Sequence, residues 1–315
     1  MLDVLTITLN PAIDQTFNIE DFEVNKVNRV NQMQSDPGGK GINVASYLAS
    51  SDLKVGATGF LGSKNSKIFD DIFSKLNIED KFVYINEETR TNIKIVDSKN
   101  QTVTDVNQSG FEIKNEELQK LEEILFSKKE ADWYVFSGSL PKGIAINIYE
   151  KWIEKAHSLG IKVALDASGD ALKYAINANP DLIKPNHHEL SQLNSEDLNS
   201  LDEYIKYAKK LIENGLDIIC VSMGENGALL IKDDEVIHSI PSKVEIKTTV
   251  GAGDSMLAGL IYSFVKKLSF EESIKIATAY SMSSVETIGP YLSNKEKIKD
   301  YYNDVKIMFL EKVKN

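Results

Sequence analysis

Residues 247–259 read Lys-Thr-Thr-Val-Gly-Ala-Gly-Asp-Ser-Met-Leu-Ala-Gly, an order that suits phosphoryl transfer to an alcohol. Gly251 and Gly253 let backbone approach a ligand closely. Apolar residues then recur at helical spacing through Met256, Leu257, Leu260, Ile261 and Phe264. A helix start turns unpaired N–H groups and a positive dipole end outward, which suits a phosphate. The N–H groups around Ala252 and Gly253 would hold charge developing on the transferred group. Asp254 stands beside them, where a carboxylate accepts the proton of an attacking hydroxyl. The plainer alternative is a helix start at which Asp254 serves only as a cap.

Pro37-Gly38-Gly39-Lys40-Gly41-Ile42-Asn43 is a second glycine segment opening a helix. It is not a Walker A loop, which needs Gly-Lys followed by Ser or Thr, whereas Gly41 follows Lys40 here. Gly38 and Gly39 instead let a substrate come close to backbone. Lys40 supplies charge for a phosphate, or is an ordinary solvated lysine. Asp14 follows Asn10-Pro11, where an aspartate contacts a ligand or simply forms a turn. Only two arginines occur, Arg29 and Arg90. Arginine grips phosphate with a planar fork of donors.

These residues need a scaffold. Leu2–Leu9 is a buried strand, Asn43–Ser50 a helix, Val55–Leu61 a strand and Ser66–Leu76 a helix. The alternation continues with helix Glu116–Phe126, strand Trp133–Ser137, helix Ile146–Leu159, strand Lys162–Asp166, short strand Leu182–Lys184, helix Leu201–Asn214 and strand Ile218–Ser222. Such alternation implies an α/β fold with a mostly parallel sheet covered by helices on both faces. Ligands bind such sheets at the carboxyl ends of the strands. Ser137, Asp166, Lys184 and Ser222 all fall there. Two segments break the pattern. Gln15–Gln34 and Asn92–Val106 alternate polar and apolar residues, with a turn at Ser98-Lys99-Asn100, and read as half-exposed antiparallel strands.

Composition removes other classes. Lys and Arg total 36 against 47 Asp and Glu, a net charge of −11. That opposes broad binding to nucleic acid or anionic membrane. Cys220, the only cysteine, sits in a buried strand pattern and allows no intrachain disulfide. No signal peptide and no apolar run of membrane length is apparent, so a cytoplasmic protein is expected.

Taken in order, Thr8-Leu9-Asn10-Pro11-Ala12-Ile13-Asp14, Pro37–Ala45, Ser137-Gly-Ser-Leu-Pro141, Asp166-Ala-Ser-Gly169, Lys184-Pro-Asn-His-His-Glu-Leu190, Val221-Ser-Met-Gly-Glu-Asn-Gly227 and the Gly251–Asp254 stretch resemble the PfkB/ribokinase family of carbohydrate kinases. The resemblance covers essentially the whole chain and leans to the sugar-phosphate branch. It implies a ribokinase-like fold: a doubly wound, mostly parallel sheet plus a small β-sheet lid. The nucleotide-binding core would comprise residues 1–11, 37–88 and 110–315, and the lid 12–36 and 89–109. A lid sheet with one apolar face needs cover, so a homodimer through the lid is expected.

The resemblance also implies roles. Asp14 and Asn43 would bind sugar hydroxyls beside Gly38 and Gly39. Arg90 and Asn92 match the lid-hinge pair. Arg90, Lys40 and Ser139 would hold the phosphate already on the sugar. Lys184, Asn186, Ser222, Gly224, Gly227, Thr249, Gly251 and Gly253 would contact ATP. Asn186 and Glu189 would hold Mg2+ through its waters, or Glu189 only favours a helix start. Asp254, with Gly251, Ala252 and Gly253, would carry out the transfer. Met223 stands where the family usually has Leu, a volume-preserving change. The expected reaction phosphorylates D-fructose 1-phosphate at its 6-hydroxyl; Glu23-Val-Asn25, Val103–Asn107, Ser109–Glu112 and Gly259–Tyr262 favour it. Tagatose 6-phosphate and fructose 6-phosphate are the rival acceptors. A sugar-phosphate sensor without activity is the rival of another class.

Overall fold

Strand β1 (Leu2–Thr8) is buried on both sides because helices cover both faces of the sheet that it centres. The computed structural model describes residues 1–311 other than 195, 234, 288 and 290; the end of the expected core segment, 312–315, lies outside the described residues. The remaining strands are β2 (Ala12–Ile19), β3 (Gln32–Gly38), β4 (Val55–Gly62), β5 (Glu79–Asp80), β6 (Val83–Ile85), β7 (Thr91–Asp97), β8 (Thr102–Asn107), β9 (Ala131–Ser137), β10 (Lys162–Asp166), β11 (Leu182–Ile183), β12 (Ile218–Ser222), β13 (Ala228–Lys232), β14 (Glu235–Ile240) and β15 (Lys306–Glu311). The helices are α1 (Lys40–Ala49), α2 (Lys67–Leu76), α3 (Asn115–Phe126), α4 (Ile148–Ser158), α5 (Gly169–Ala175), α6 (His187–Leu193), α7 (Leu201–Glu213), α8 (Ala252–Val265), α9 (Phe270–Val285) and α10 (Lys295–Asp304).

The large sheet runs β15-β14-β13-β12-β11-β10-β9-β1-β4-β5, with β6 also paired to β4. From β5 to β12 the pairing is parallel; β13, β14 and β15 add an antiparallel margin. The chain leaves β1 toward β4 on one side and returns to β9 on the other. That reversal makes the carboxyl end of β1 a topological switch point, where open α/β sheets bind ligands.

Two cores result. Leu5, Ile7 and Phe136 face one side with Leu121 and Leu125 of α3, Trp152 of α4 and Ala208 of α7. Val4 and Val135 face the other with Ile42 and Leu48 of α1, Phe69 of α2, Leu257 of α8 and Ile274 of α9. The expected doubly wound architecture is present. Helix α1 begins at Lys40, three residues before the sequence-based start, because the glycine segment itself makes its first turn. The antiparallel margin and the two- and three-residue strands β5 and β6 had no counterpart in the sequence reading. Among the described residues, no helix is long and apolar enough to cross a membrane.

A separate four-stranded sheet runs β3-β2-β7-β8. The expectation of antiparallel strands is corrected in one respect. The hairpins β2–β3 and β7–β8 are antiparallel, but β2 and β7 join them in parallel, so the sheet is mixed. Residues 20–31 also form an exposed connection rather than strand. The turn between β7 and β8 is held by Asp97, whose carboxylate accepts from the N–H groups of Lys99 and Asn100 and, across the sheet end, of Phe22.

Candidate active site

Helix α8 starts at the glycine turn because Gly251 adopts φ 81°, a left-handed conformation open to glycine. A Cβ on Gly251 would also lie 2.8 Å from the Tyr47 hydroxyl. The helix supplies no acceptor for the N–H groups of Gly253 and Asp254, which therefore stay available to a ligand. Asp254 is buried, and its Oδ2 accepts a 2.8 Å hydrogen bond from Asn43 Nδ2 of α1. Burial pushes its carboxyl up to about 6, against the opposing pull of the Lys40 charge. A carboxylate of that basicity, beside an anion-binding helix start, has the makings of a general base.

The turn opens on a cavity of about 530 Å³. Its wall includes Asp14, Gly39, Lys40, Asn43, Arg90, Asn92 and Ser139 from the expected sugar-phosphate set. It also includes Lys184, Asn186, Glu189, Ser222, Gly251, Gly253 and Asp254 from the expected nucleotide and catalytic sets. Gly38, Ala252, Gly224, Gly227 and Thr249 are not on that wall. Gly38 lies directly behind Asp14, where a Cβ would come within 2.1 Å of the Asp14 carboxylate. Gly224 and Gly227, with φ 58° and 83°, bound a short 3₁₀ turn beyond Ser222. Thr249 offers its carbonyl to the N–H of Ala252 at 3.4 Å.

On the side expected to take the sugar, Asn92 Nδ2 donates to Asp14 Oδ1 at 3.0 Å, a pair made possible by their register across β2 and β7. Burial raises the Asp14 carboxyl above its ordinary range. Asn10 Nδ2 donates to Ser139 Oγ at 3.2 Å. Arg90 is placed differently from a free phosphate clamp. Its Nε donates to the Pro11 carbonyl at 3.1 Å, Nη1 to Gln108 at 2.8 Å and Nη2 to Asn10 at 3.0 Å. Three of the five guanidinium donors thus lace the loops together, and two remain for a ligand.

The side expected to take the nucleotide combines β11, α6 and β12. Asn186 caps α6: its Oδ1 accepts from Glu189 N at 2.8 Å, while Glu189 Oε2 accepts from Asn186 N at 2.9 Å. This reciprocal box realises the helix-start reading of Glu189. Both side chains also line the cavity. One carboxylate and one amide suit Mg2+ held largely through water and phosphate oxygens. No group of three or more His, Cys, Asp or Glu able to hold a metal occurs among the described residues.

Sequence reasoning left Asp166 without a role. It is fully buried at the end of β10; Lys40 Nζ donates to its Oδ1 at 2.9 Å, and Lys184 Nζ lies 3.4 Å from Oδ2. Burial alone would push this carboxyl up; the charges of Lys184 and Lys40 outweigh it and hold it below the usual carboxylate range. The same contacts act back on Lys40. Desolvation disfavours its ammonium, and the Asp166 and Asp254 charges more than offset that, raising its pKa. A charged residue closing the apolar run Val163-Ala-Leu165 was the signal for Asp166. Thr8 and Asn10 were given no role either, and Ser137 was placed only at a strand end. Thr8, Asn10, Asn92, Ser137 and Asp166 line the cavity, and each has a buried oxygen without a hydrogen-bond partner, that of Asp166 being the Oδ2 that faces Lys184. Buried polar atoms are costly to leave so, and a polyhydroxylated, phosphorylated ligand would satisfy them.

Comparison with known proteins agrees with this chemistry. Residues 7–297 match the family described as pfkB family carbohydrate kinase. The chain is 38% identical over 299 residues to a 1-phosphofructokinase of Rhodobacter capsulatus, covering 94% of this chain and 95% of that protein. It is 37% identical over 313 residues to a 1-phosphofructokinase of Haemophilus influenzae, covering 99% and 100%. Among solved structures, phosphofructokinase-2 from Escherichia coli in complex with substrates and products superimposes with a TM-score of 0.90 at 27% identity, over 96% of this chain and 99% of that one.

Proposed function

The chain belongs to the pfkB family of carbohydrate kinases, and from that premise we propose its reaction: transfer of the γ-phosphoryl group of ATP to the 6-hydroxyl of D-fructose 1-phosphate, giving fructose 1,6-bisphosphate and ADP. The observation that carries the choice of acceptor is near full-length similarity to several curated 1-phosphofructokinases. Lys40 and Ser139 on the wall of one cavity support an acceptor that already bears a phosphate.

Asp14 and Asn92 grip sugar hydroxyls, and Asn43 orients both the sugar and Asp254. Lys40, Ser139 and the two free donors of Arg90 hold the 1-phosphate. The 6-hydroxyl then faces Asp254, whose carboxylate takes its proton as the oxygen attacks the γ-phosphorus. The helix-start N–H groups of α8 hold the charge on the transferred group. Lys184 and the Ser222–Gly227 turn hold the nucleotide phosphates. Asn186 and Glu189 would hold Mg2+, which neutralises phosphate charge when bound. The substrates, ATP and a phosphorylated sugar, support a cytoplasmic setting.

The small sheet, residues 12–36 and 89–109, serves as a lid. Register puts Asp14, Thr16, Asn92 and Lys94 on one face, which lines an adjoining cavity of about 450 Å³ shared with Asn43 and Gly251. The opposite face carries Phe17, Met33, Ile95 and Val106. An apolar sheet face of this kind supports pairing of two lids in a homodimer.

The test is a coupled ADP-release assay with fructose 1-phosphate, fructose 6-phosphate and tagatose 6-phosphate, compared by kcat/KM. Fructose 1-phosphate should lead by at least about tenfold, a difference of roughly 1.4 kcal/mol in transition-state binding. Preference for tagatose 6-phosphate rejects the acceptor. No turnover with any of the three rejects the kinase reading in favour of a sensor.

A further inference from the structure

Asp166 touches two lysines that come from different parts of the chain. Lys40 opens α1 and is read above as serving the acceptor; Lys184 follows β11 and is read above as serving the donor, and both line the one cavity. A Cβ added to Gly253 would sit 3.2 Å from Lys184 Nζ, so this ammonium is at the phosphoryl-transfer turn itself. One buried carboxylate is therefore shared by two cations, which the reading above assigns to different substrates. The sharing is unequal. Oδ1 has a 2.9 Å hydrogen bond from Lys40, whereas Lys184 stands 3.4 Å from Oδ2 without hydrogen-bond alignment. Oδ2 therefore keeps acceptor capacity that only a shift of Lys184 or a ligand would use.

The surroundings make the carboxylate hard to replace. Asp166 pairs in register with Ser137, and Ser137 with Thr8, so the three side chains share one face at the cavity floor. Neither hydroxyl has a partner of its own. Asp166 is less than 2% exposed and Lys184 is 4% exposed, so water does little to screen their attraction. Lys40 is more open, with two-fifths of its side chain exposed, and is freer to follow a phosphate.

We infer that Asp166 is a positioning residue which holds Lys40 and Lys184 on one carboxylate and so makes the two substrate sub-sites depend on each other. The inference rests on the reading above that Lys40 serves the sugar phosphate and Lys184 the nucleotide. A phosphate that draws Lys40 away leaves Lys184 facing an undivided negative charge. The carboxylate transfers no proton and touches neither reacting atom; it fixes where two positive charges stand.

The test is a set of mutant cycles on the full chain: Asp166→Asn, Lys40→Met, Lys184→Met, and Asp166→Asn combined with each lysine change. Asp166→Asn should raise KM for both fructose 1-phosphate and ATP by about tenfold. In the Lys40→Met background it should no longer alter KM for the sugar phosphate while still raising KM for ATP. In the Lys184→Met background the pattern should reverse. A loss of packing would instead give the same factor in every background, and that outcome overturns the inference. So does an effect confined to kcat or to the Mg2+ requirement, which would put Asp166 on the reacting groups or the cation. Should Asp166→Asn fail to fold, Lys40→Met decides alone: ATP affinity, measured by calorimetry, should fall severalfold although Lys40 is assigned to the sugar phosphate. Unchanged ATP affinity rejects the coupling. The wild-type acceptor panel is run first. Failure of fructose 1-phosphate there rejects the acceptor assignment, and the cycles are then read on the preferred sugar phosphate and on ATP binding.

Discussion

Asp254→Asn should slow turnover and stabilise the fold, and the second effect should depend on pH. The folded carboxyl titrates at about 6, against an ordinary value of 3.8. Between those values the native chain keeps a proton that the unfolded chain releases, so stability falls as pH rises from about 4 to 6. Above that window the full cost is present. About two units correspond to roughly 3 kcal/mol. The pull of Lys40 is already contained in that figure, so it is the net cost of keeping Asp254 ionised in its buried place. Asparagine is close in shape, stays neutral, and still accepts from Asn43. At pH 8 the variant should therefore be more stable by up to about 3 kcal/mol. Over the unfolding entropy of 315 residues, that raises Tm by roughly 4–5 °C. Near pH 4 the two proteins should melt alike. Meanwhile kcat should fall at least about 10²-fold with both substrates still bound. Paired melting curves at pH 4, 6 and 8 and initial rates at pH 8 decide it. A stability gap of the same size at every pH, or a variant less stable at pH 8, refutes the electrostatic reasoning. Near-normal turnover removes Asp254 from the mechanism.

In wild type, kcat/KM should fall about tenfold per pH unit below about 6, because only the ionised carboxylate accepts the proton; a flat profile from pH 5 to 8 contradicts this. Glu189→Gln keeps an oxygen for the Asn186 N–H, so Tm should hardly move while the Mg2+ concentration for half activity rises; an unchanged metal requirement leaves Glu189 a cap alone. Arg90→Ala should raise KM for fructose 1-phosphate by about 10–100-fold, the loss of roughly 1.5–3 kcal/mol in charged hydrogen bonds, and move KM for ATP much less. Because Arg90 also binds three backbone carbonyls, Tm should fall as well; damage confined to ATP would mean the sub-sites are reversed. Phe17→Asp should convert a dimer to a monomer in sedimentation velocity, and a wild-type chain that sediments as a monomer defeats the lid-pairing proposal.

Much of the fold was legible because parallel strands buried on both faces leave continuous apolar runs, as in β1 and β9. The antiparallel margin was not, since β15 is largely exposed and joins β14 from about 70 residues away in sequence. Residue types at the site were legible from glycine turns and strand ends. Their partners were not. Asn43 meets Asp254 across 211 residues of sequence, and Lys40 meets Asp166 across 126. Nothing local in either segment encodes such a meeting. Arg90 shows the limit most clearly: its type promised phosphate binding, but the carbonyls of Pro11, Asn10 and Gln108 claim most of its donors.

The rung joining Asp14 to Asn92 lies at the root of the small sheet. The far end of β7, at Asp97, is five residues onward, or about 17 Å along the strand. The sheet is then a lever whose fulcrum is the pair of side chains that would hold the sugar. Rotation by about 10° at that rung carries the tip through about 3 Å. A displacement too small to break a hydrogen bond at the sugar thus becomes, at the outer edge, a movement as wide as a water molecule.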